Sequence, residues 1–559
     1  MAVHSLQKGQ ISRARSPRVH DIQRYSAPIK GIDSRVSLTE GSELNCVYTF
    51  NLVPFEYGMA VRKGYREWQI DVDTGIGSGI HTILPFDGIE EQGAGDKLFA
   101  ITNEGIWDVT IPNAAPILKI AFADPQPQSG YGVFCHYVGD NEEDVLFYAD
   151  NINGLFEYDA QADTWAVGPT FTADPPDDPP ITSDIRFIMI HKERLWFFEE
   201  SSTKAWYLEV GAKAGKATPF FFGSKFRHGG SLEGLFNWSV DSGNGLDDFL
   251  VAVSHAGDVL TYQGNNPDTV EDWQLRGTYY IGELVQGPFF GSEHGGELYL
   301  LSTFGLTSMN DLLQGVDTAV LGEGGMQHSI SGKITGLLRL HIQATINDFG
   351  WQVQTIPSEG GLLISGPRQG SSPFVQYFYN LSTSSWGLWR DTPIECFNSW
   401  NGSVVFGDAD NRILYMDVTA DNILLTPPDD KINGDPISFS ILSSYQILGE
   451  TGGTYKRVHL IRPDFLAKGP PSYTCVARFD YDVSEAQIPI TTPISGDGVW
   501  DVGLWDLAVW SAGTSENFNS LQGTWGTGRY VAIAMRGETR EETRFIGWDV
   551  IFDEGGVMF

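Results

Sequence analysis

The sequence predicts an all-β protein, a β-propeller of six to eight blades with a β-sandwich, platform-type domain after it. Three observations carry that prediction. A hairpin-like pattern recurs at a nearly constant interval, the composition suits short strands joined by tight turns, and a separate stretch near residue 475 alternates between apolar and polar positions.

Each copy of the pattern opens on a polar or acidic residue, runs through a short apolar stretch, crosses a turn and ends in a second apolar stretch. The clearest covers residues 96–110. Others begin at Asp144, Glu193, Asp248, Glu297 and Ser403, and a diverged copy runs from Gly361 through Leu363 to Tyr379. The first large apolar residues of successive copies are Leu98, Leu146, Leu195, Phe249 and Leu298, at spacings of 48, 49, 54 and 49. A four-stranded propeller blade takes about 40 to 50 residues, and because one blade cannot bury both of its faces, such units stack radially. The 106 residues between Leu298 and Val404 leave room for two further steps, so blades are expected over residues 45–425. The 64 glycines and 16 tryptophans fit many strands and many turns.

Two strand ends share one form. Tyr158-Asp159 is followed by Thr164-Trp165, and Tyr379-Asn380 by Ser385-Trp386. Both read as a turn between strands of one blade, with Trp165 and Trp386 packed in the core. One helix is expected near 334–346, an insertion between blades with Leu337, His341 and Ala344 on one face and Leu338 and Ile342 beside them. Asn347 and Gly350 suit its end.

A new module begins after the Pro-rich turn at 426–431. Positions 473, 475, 477, 479 and 481 are Tyr, Cys, Ala, Phe and Tyr, alternating with Thr474, Val476, Arg478 and Asp480, the period of a strand with one apolar face. Residues 530–535 are apolar on both faces. The expected division is a basic arm at 1–30, the propeller at 31–430 and the sandwich at 436–559.

The formal charge is −35, from 71 acids against 36 bases, so most of the surface repels phosphate and a conventional DNA-binding protein is not expected; solubility or host adaptation is the plainer reading of the acidity. Residues 1–30 depart from this balance, with Lys8, Arg13, Arg15, Arg18, Arg24 and Lys30 against Asp21. Such an arm suits docking on an acidic neighbour or touching nucleic acid, and a mobile tail is the plainer alternative.

Cys46, Cys135, Cys396 and Cys475 are far apart, without a CxxC pair or clustered histidines, so neither a zinc site nor a disulfide framework is signalled and no cofactor is expected. Buried, reduced thiols are the expectation. No apolar run approaches the ~20 residues of a membrane span, and the first 20 residues lack the apolar stretch of a signal peptide, so a soluble protein without membrane insertion is expected.

Catalytic patterns fail in detail. In Gly211-Ala212-Lys213-Ala214-Gly215-Lys216 only three residues separate the glycines, and Ala217 stands where a phosphate loop needs a hydroxyl. Asp71-Val72-Asp73 begins like a calcium loop, yet the twelfth position is Thr82 or Leu84 rather than an acid. Cys135 and His136 are neighbours in a strand and point to opposite faces. The acidic, four-proline stretch 173–180 reads as a stiff linker between blades or a contact loop. An enzyme is not expected.

Several stretches occur in a telling order: Lys30-Gly31-Ile32-Asp33-Ser34-Arg35, Asn51-Leu52-Val53-Pro54, Val61-Arg62-Lys63-Gly64-Tyr65-Arg66 and Asp96-Lys97-Leu98-Phe99-Ala100. They continue with Gly350-Trp351-Gln352, Val375-Gln376-Tyr377, Trp386, Cys396, Val405-Phe406-Gly407-Asp408, Tyr455-Lys456-Arg457-Val458, Arg462-Pro463, Asp480-Tyr481-Asp482-Val483 and Trp505-Asp506 with Trp510. In this order the chain resembles the tail nozzle, or tail hub, proteins of short-tailed bacteriophages, the podoviral tail accessory proteins that stabilise packaged DNA. The resemblance implies a structural virion protein of the tail, assembled in the host cytoplasm. It implies a ring, usually of six copies, beneath the portal and adaptor rings, with a tail fibre or spike and a tail-closing protein as further neighbours. Double-stranded DNA would pass through the lumen without specific binding. Gly31, Asp33, Arg35, Asn51, Pro54, Arg62, Lys63, Gly64 and Tyr65 are then structural motif positions, and no residue is catalytic. The first 25 residues depart from the family pattern, which leaves Lys8, Arg13, Arg15, Arg18 and Arg24 as a possible docking arm. The rival readings are a propeller that binds or degrades glycans and a propeller that serves as an interaction scaffold.

Overall fold

All seven hairpins read from the sequence form, and each supplies the second and third strands of one blade. The computed structural model describes residues 20–35, 37–38, 41–72, 79–89, 95–139, 143–241, 246–269, 271–313, 330–426, 433–449, 454–488 and 516–555. Lys8, Arg13, Arg15, Arg18, most of the calcium-loop candidate and the Trp505–Trp510 motif lie outside them.

Blade 1 is built from Thr82–Phe86, Lys97–Ile101, Gly105–Asp108 and Ile117–Ala121. Blade 2 follows with Gly132–Val138, Asp144–Asp150, Gly154–Asp159 and Thr164–Val167. Blade 3 uses Ile185–His191, Arg194–Glu199, Lys204–Tyr207 and Thr218–Phe221, and blade 4 uses Leu232–Asp241, Leu246–Ser254, Asp258–Gln263 and Gln274–Tyr280. Blade 5 has three strands, Gly291–His294, Glu297–Ser302 and Gly305–Ser308. Blade 6 comprises Gln352–Ile356, Gly361–Ser365, Val375–Asn380 and Ser385–Arg390. Every position of Asp144–Asp150 and of Gly361–Ser365 is buried, because a second strand is covered by blades on both sides.

Blade 7 takes Cys396–Trp400, Ser403–Gly407 and Ile413–Val418 from late in the chain and its outer strand, Gly64–Gln69, from early in it. The register runs from Ile413 opposite Gln69 to Val418 opposite Gly64. This pairing closes the ring, so no strand edge is left at the seam between its first and last blades. Gly64 permits the closure: a Cβ there would lie 2.1 Å from the Ala420 carbonyl oxygen. Gly64→Val is expected to cost about 3 kcal/mol or to prevent closure, whereas Gly95→Ala, where a Cβ meets open space, should stay within about 0.5 kcal/mol. Urea unfolding of the two variants compares them directly.

Six blades stand as sheets of their own, and blade 6 runs on into a larger one. Beyond Ser385–Arg390 its sheet continues through Gly31–Ile32, Asn45–Phe50, Ile437–Ser443, Val531–Thr539 and Ser472–Phe479. A second sheet is centred on the long pair Lys456–Ala467 and Thr543–Glu554, joined by Asp21–Ser26, Leu52–Phe55 and Gly58–Val61. Leu52, Met59, Phe439, Ile461, Phe465, Met535, Phe545 and Trp548 lie buried in one core that both sheets feed.

The strands of 437–554 therefore share both sheets with strands of 21–61, and the boundaries drawn from composition at 31 and 436 are not the lines along which the strands pair. The reason is physical. Local alternation announces a strand but not its partner, which here lies some 400 residues away, as in Thr49 opposite Ile441. Arg24 is likewise part of a strand, ion-paired to Asp464 at 2.8 Å, rather than part of a free arm.

The helix forms at Thr335–Ala344, between blades 5 and 6. Its buried residues are Leu338 and Ile342, and His341 is half-buried against Pro367 and Trp351, while Leu337 is 40% exposed and Ala344 is exposed, so only part of the face expected from spacing turns inward. The segment packs along the third strand of blade 5, where other blades carry a fourth strand. Ser331 holds it there by accepting the Leu306 amide at 2.9 Å.

The two shared turns are alike in detail. Asp159 accepts the amides of Gln161 and Ala162, and Asn380 accepts those of Ser382 and Thr383, each within 3.1 Å. Trp165 sits opposite Tyr158 and Trp386 opposite Tyr379, with ring centroids 5.4 and 4.9 Å apart. The four cysteines are buried and free. The four-proline stretch lies in the connection between blades 2 and 3, where Lys216 pairs with Asp174, which gives the phosphate-loop lookalike a carboxylate partner.

Candidate functional site

The innermost strands of the blades pack side by side in chain order, from Thr82–Phe86 round to Cys396–Trp400 and back. Most of these contacts carry a hydrogen bond from a polar side chain to a neighbouring blade. Asn398 donates to the Ile83 carbonyl at 3.1 Å, and Thr82 donates to the Gly130 carbonyl at 2.7 Å. Asn237 donates its side-chain amide to Ile190 at 2.9 Å, and its backbone N–H donates to the Glu293 carboxylate at 2.6 Å. Ser292 accepts the Thr355 amide at 3.1 Å, while Gln352 donates to the Phe397 carbonyl at 2.6 Å and accepts the Phe397 amide at 3.0 Å. Six of the seven blade boundaries are riveted in this way, and the blade 2 to blade 3 boundary is packed by apolar residues such as Cys135, Phe187 and Met189.

These strands surround a central cavity of about 490 Å³, bordered by Phe134, His136, Phe236, Glu293, Gln354 and Asn398 among others. The Glu293 carboxyl borders it yet has protein on most sides, and this desolvation raises its pKa. The volume lies in the range of small-molecule pockets, ~300 to 1,000 Å³.

The motif positions gather elsewhere, where the propeller meets the two larger sheets. Asn51, at φ +59, tolerates the left-handed backbone that turns the chain between Asn45–Phe50 and Leu52–Phe55. Its side chain donates to the Arg390 carbonyl of blade 6 at 3.1 Å and the Ser438 carbonyl at 2.8 Å, and accepts the Arg390 amide at 2.8 Å. Arg62, with its side chain only 1% exposed, donates to Asn51 Oδ1 at 3.0 Å and to both carboxylate oxygens of Asp421 at 2.7 Å. A planar guanidinium is the side chain that can serve an amide and a carboxylate in one plane.

Around this node Lys63 pairs with Glu359 of blade 6 at 2.7 Å, and Tyr65 packs edge-on to Phe406 of blade 7 with its hydroxyl pKa raised by burial. Pro54 accepts the Asn380 side-chain amide at 3.1 Å. Gly31, at φ +67, lies against the Trp386 backbone, where a Cβ would sit 2.3 Å from the carbonyl oxygen. Asp33 and Arg35 form a local pair. Burial works against the charge on Asp33, yet the hydrogen bonds from Arg35 outweigh it and hold the carboxyl below its usual range. Arg390 stacks over Phe50 at 3.6 Å and bonds Glu485 at 2.8 Å, extending the node to the segment that follows strand Ser472–Phe479.

Asn51, Pro54, Arg62, Lys63, Gly64 and Tyr65 are thus brought to one junction, Gly31 to its border, and Asp33 with Arg35 to a separate pair nearby. Sequence reading missed the rivets Thr82, Asn237, Ser292, Gln352 and Asn398. Aligning the first strands of the blades, rather than the hairpins, shows a polar residue in each of them.

No family model matches the sequence, and neither does any curated protein. Two similar solved structures are the extracellular domain of a hybrid two-component system from B. thetaiotaomicron and BamB from Moraxella catarrhalis. The first is 10% identical with a TM-score of 0.36, covering 74% of this chain and 54% of that one. The second is 10% identical with a TM-score of 0.29, covering 60% of this chain and 97% of that one. This chain therefore spans about half the length of the first. It is a β-propeller protein.

Proposed function

We propose that the chain is a structural subunit of a short-tailed phage tail, a nozzle protein that forms a ring and conducts the genome between its copies. The observation that carries this reading is what the motif residues do. Arg62, Asn51 and Lys63 spend their side chains on holding the propeller to the two larger sheets, and Tyr65 packs inside blade 7 where the chain enters it, structural roles rather than catalytic ones. In this reading the lumen lies between copies, since the inner strands of the blades pack side by side around the propeller axis. A net charge of −35 per copy disfavours phosphate adhesion along such a lumen.

The purified full chain is expected to form rings in negative-stain images, alone or after mixing with portal and adaptor rings. A chain that stays monomeric in both conditions overturns the proposal. A glycan-binding reading rests on a polar pocket of about 420 Å³ lined by Lys192, Asp248, Gln263, Asn265, Asp272 and Arg276. Tight binding on a glycan array by a monomeric chain would favour it.

A further inference from the structure

We infer that His20, His459 and Asp553 form a divalent transition-metal site that cross-links the head of strand Asp21–Ser26 to strands Lys456–Ala467 and Thr543–Glu554. The three lie far apart in sequence, and the sheet brings them together. His20 directly precedes strand Asp21–Ser26, whose first residue pairs with Phe552 of Thr543–Glu554, so His20 falls beside Asp553. On the other side of that central strand, Lys456–Ala467 pairs Val458 with Phe552 and then Leu460 with Ile551. His459 is the extra residue of this bulge. A bulge re-aims the side chain it carries, here toward Asp553.

His20 Nδ1 lies 2.7 Å from Asp553 Oδ1, and His459 Nε2 lies 3.0 Å from Asp553 Oδ2. The two imidazoles meet edge to face with centroids 5.1 Å apart. One ligand atom from each of the three residues falls within a 4.8 Å span. Ligands at ~2.0 to 2.2 Å from one ion lie a little over 3 Å from each other, so both hydrogen bonds need to open by only a few tenths of an ångström. The side chains are 48%, 29% and 27% exposed for His20, His459 and Asp553, which leaves an open side for solvent to complete the shell. Two imidazoles and one carboxylate select zinc or a neighbouring transition ion. Calcium and magnesium prefer all-oxygen shells.

The full chain, stripped with EDTA, is titrated with Zn²⁺ by calorimetry and with Co²⁺ by visible absorption. We expect one equivalent of Zn²⁺ per chain and a Co²⁺ ligand-field spectrum of low coordination number. His459→Ala and Asp553→Asn should each weaken binding at least tenfold, and His294→Ala, at an exposed site elsewhere, should not change it. Circular dichroism in EDTA checks that each variant folds, and His20→Ala replaces His459→Ala if the latter does not. Absence of stoichiometric Zn²⁺ binding, or binding that survives substitution of all three residues, overturns the inference.

Discussion

Arg62→Ala is expected to lower stability by about 3 kcal/mol, because it strands the part-buried Asp421 carboxylate and removes the buried donor that Asn51 Oδ1 accepts. The loss should be local in origin. Asn51 and Arg62 bind blade 6 through Arg390, the segment that leaves blade 7 through Asp421 and the larger sheets through Ser438, so the variant loosens the propeller from those sheets before either unfolds. Limited proteolysis of the variant should therefore cut first near 420–437, followed by a lowered urea midpoint. Arg62→Lys is expected to recover little, since one ammonium cannot reach both Asp421 oxygens and Asn51 in the geometry of a planar fork. If Arg62→Ala unfolds at the wild-type midpoint, the node does not join the two bodies.

The second large effect is expected at Trp386. Its side chain is fully buried, stacks on Tyr379 and donates its indole N–H to the Ile330 carbonyl at 3.0 Å, tying blade 6 to the helical insertion. Its backbone also pairs with Gly31. Trp386→Ala should cost about 3 to 5 kcal/mol through the cavity it leaves. Trp386→Phe keeps most of the volume but orphans the Ile330 carbonyl, and should cost about 1 to 3 kcal/mol. Urea unfolding followed by far-ultraviolet circular dichroism ranks the two. Equal costs would show that the hydrogen bond, rather than the packing, sets the effect.

Much of the propeller was legible because its signal is local. The hairpins at 96–110, 144–159 and 403–418 are each short apolar runs across a turn, and turn chemistry acts over a few residues, as at Asp159 and Asn380. Blade 5 was harder, since its hairpin is visible while its outer edge is covered by a helix. The helix itself was found, and of the residues named on its apolar side Leu338, His341 and Ile342 turn inward while Leu337 and Ala344 do not. Leu337 and Leu338 are equally apolar, and only the blade they meet distinguishes them. The motif positions were found by resemblance, whereas their roles were not. Nothing in the stretch Val61-Arg62-Lys63 says that Arg62 turns inward to Asp421 and Lys63 outward to Glu359.

The sequence by itself determined the all-β class, the seven hairpins and the buried state of Trp165, Trp386 and the four cysteines. Periodicity and turn residues act within one element, so one element's residues suffice to read them. The tertiary structure alone decided which early strands join which late ones: Gly64–Gln69 closing blade 7, and residues 21–61 sharing two sheets with strands of 437–554. It also decided that histidines 439 positions apart meet at Asp553, although their spacing signals no metal site. Strand pairing is a contest among many edges of similar local character, and only the packed whole, by burying one set of faces together, selects a winner.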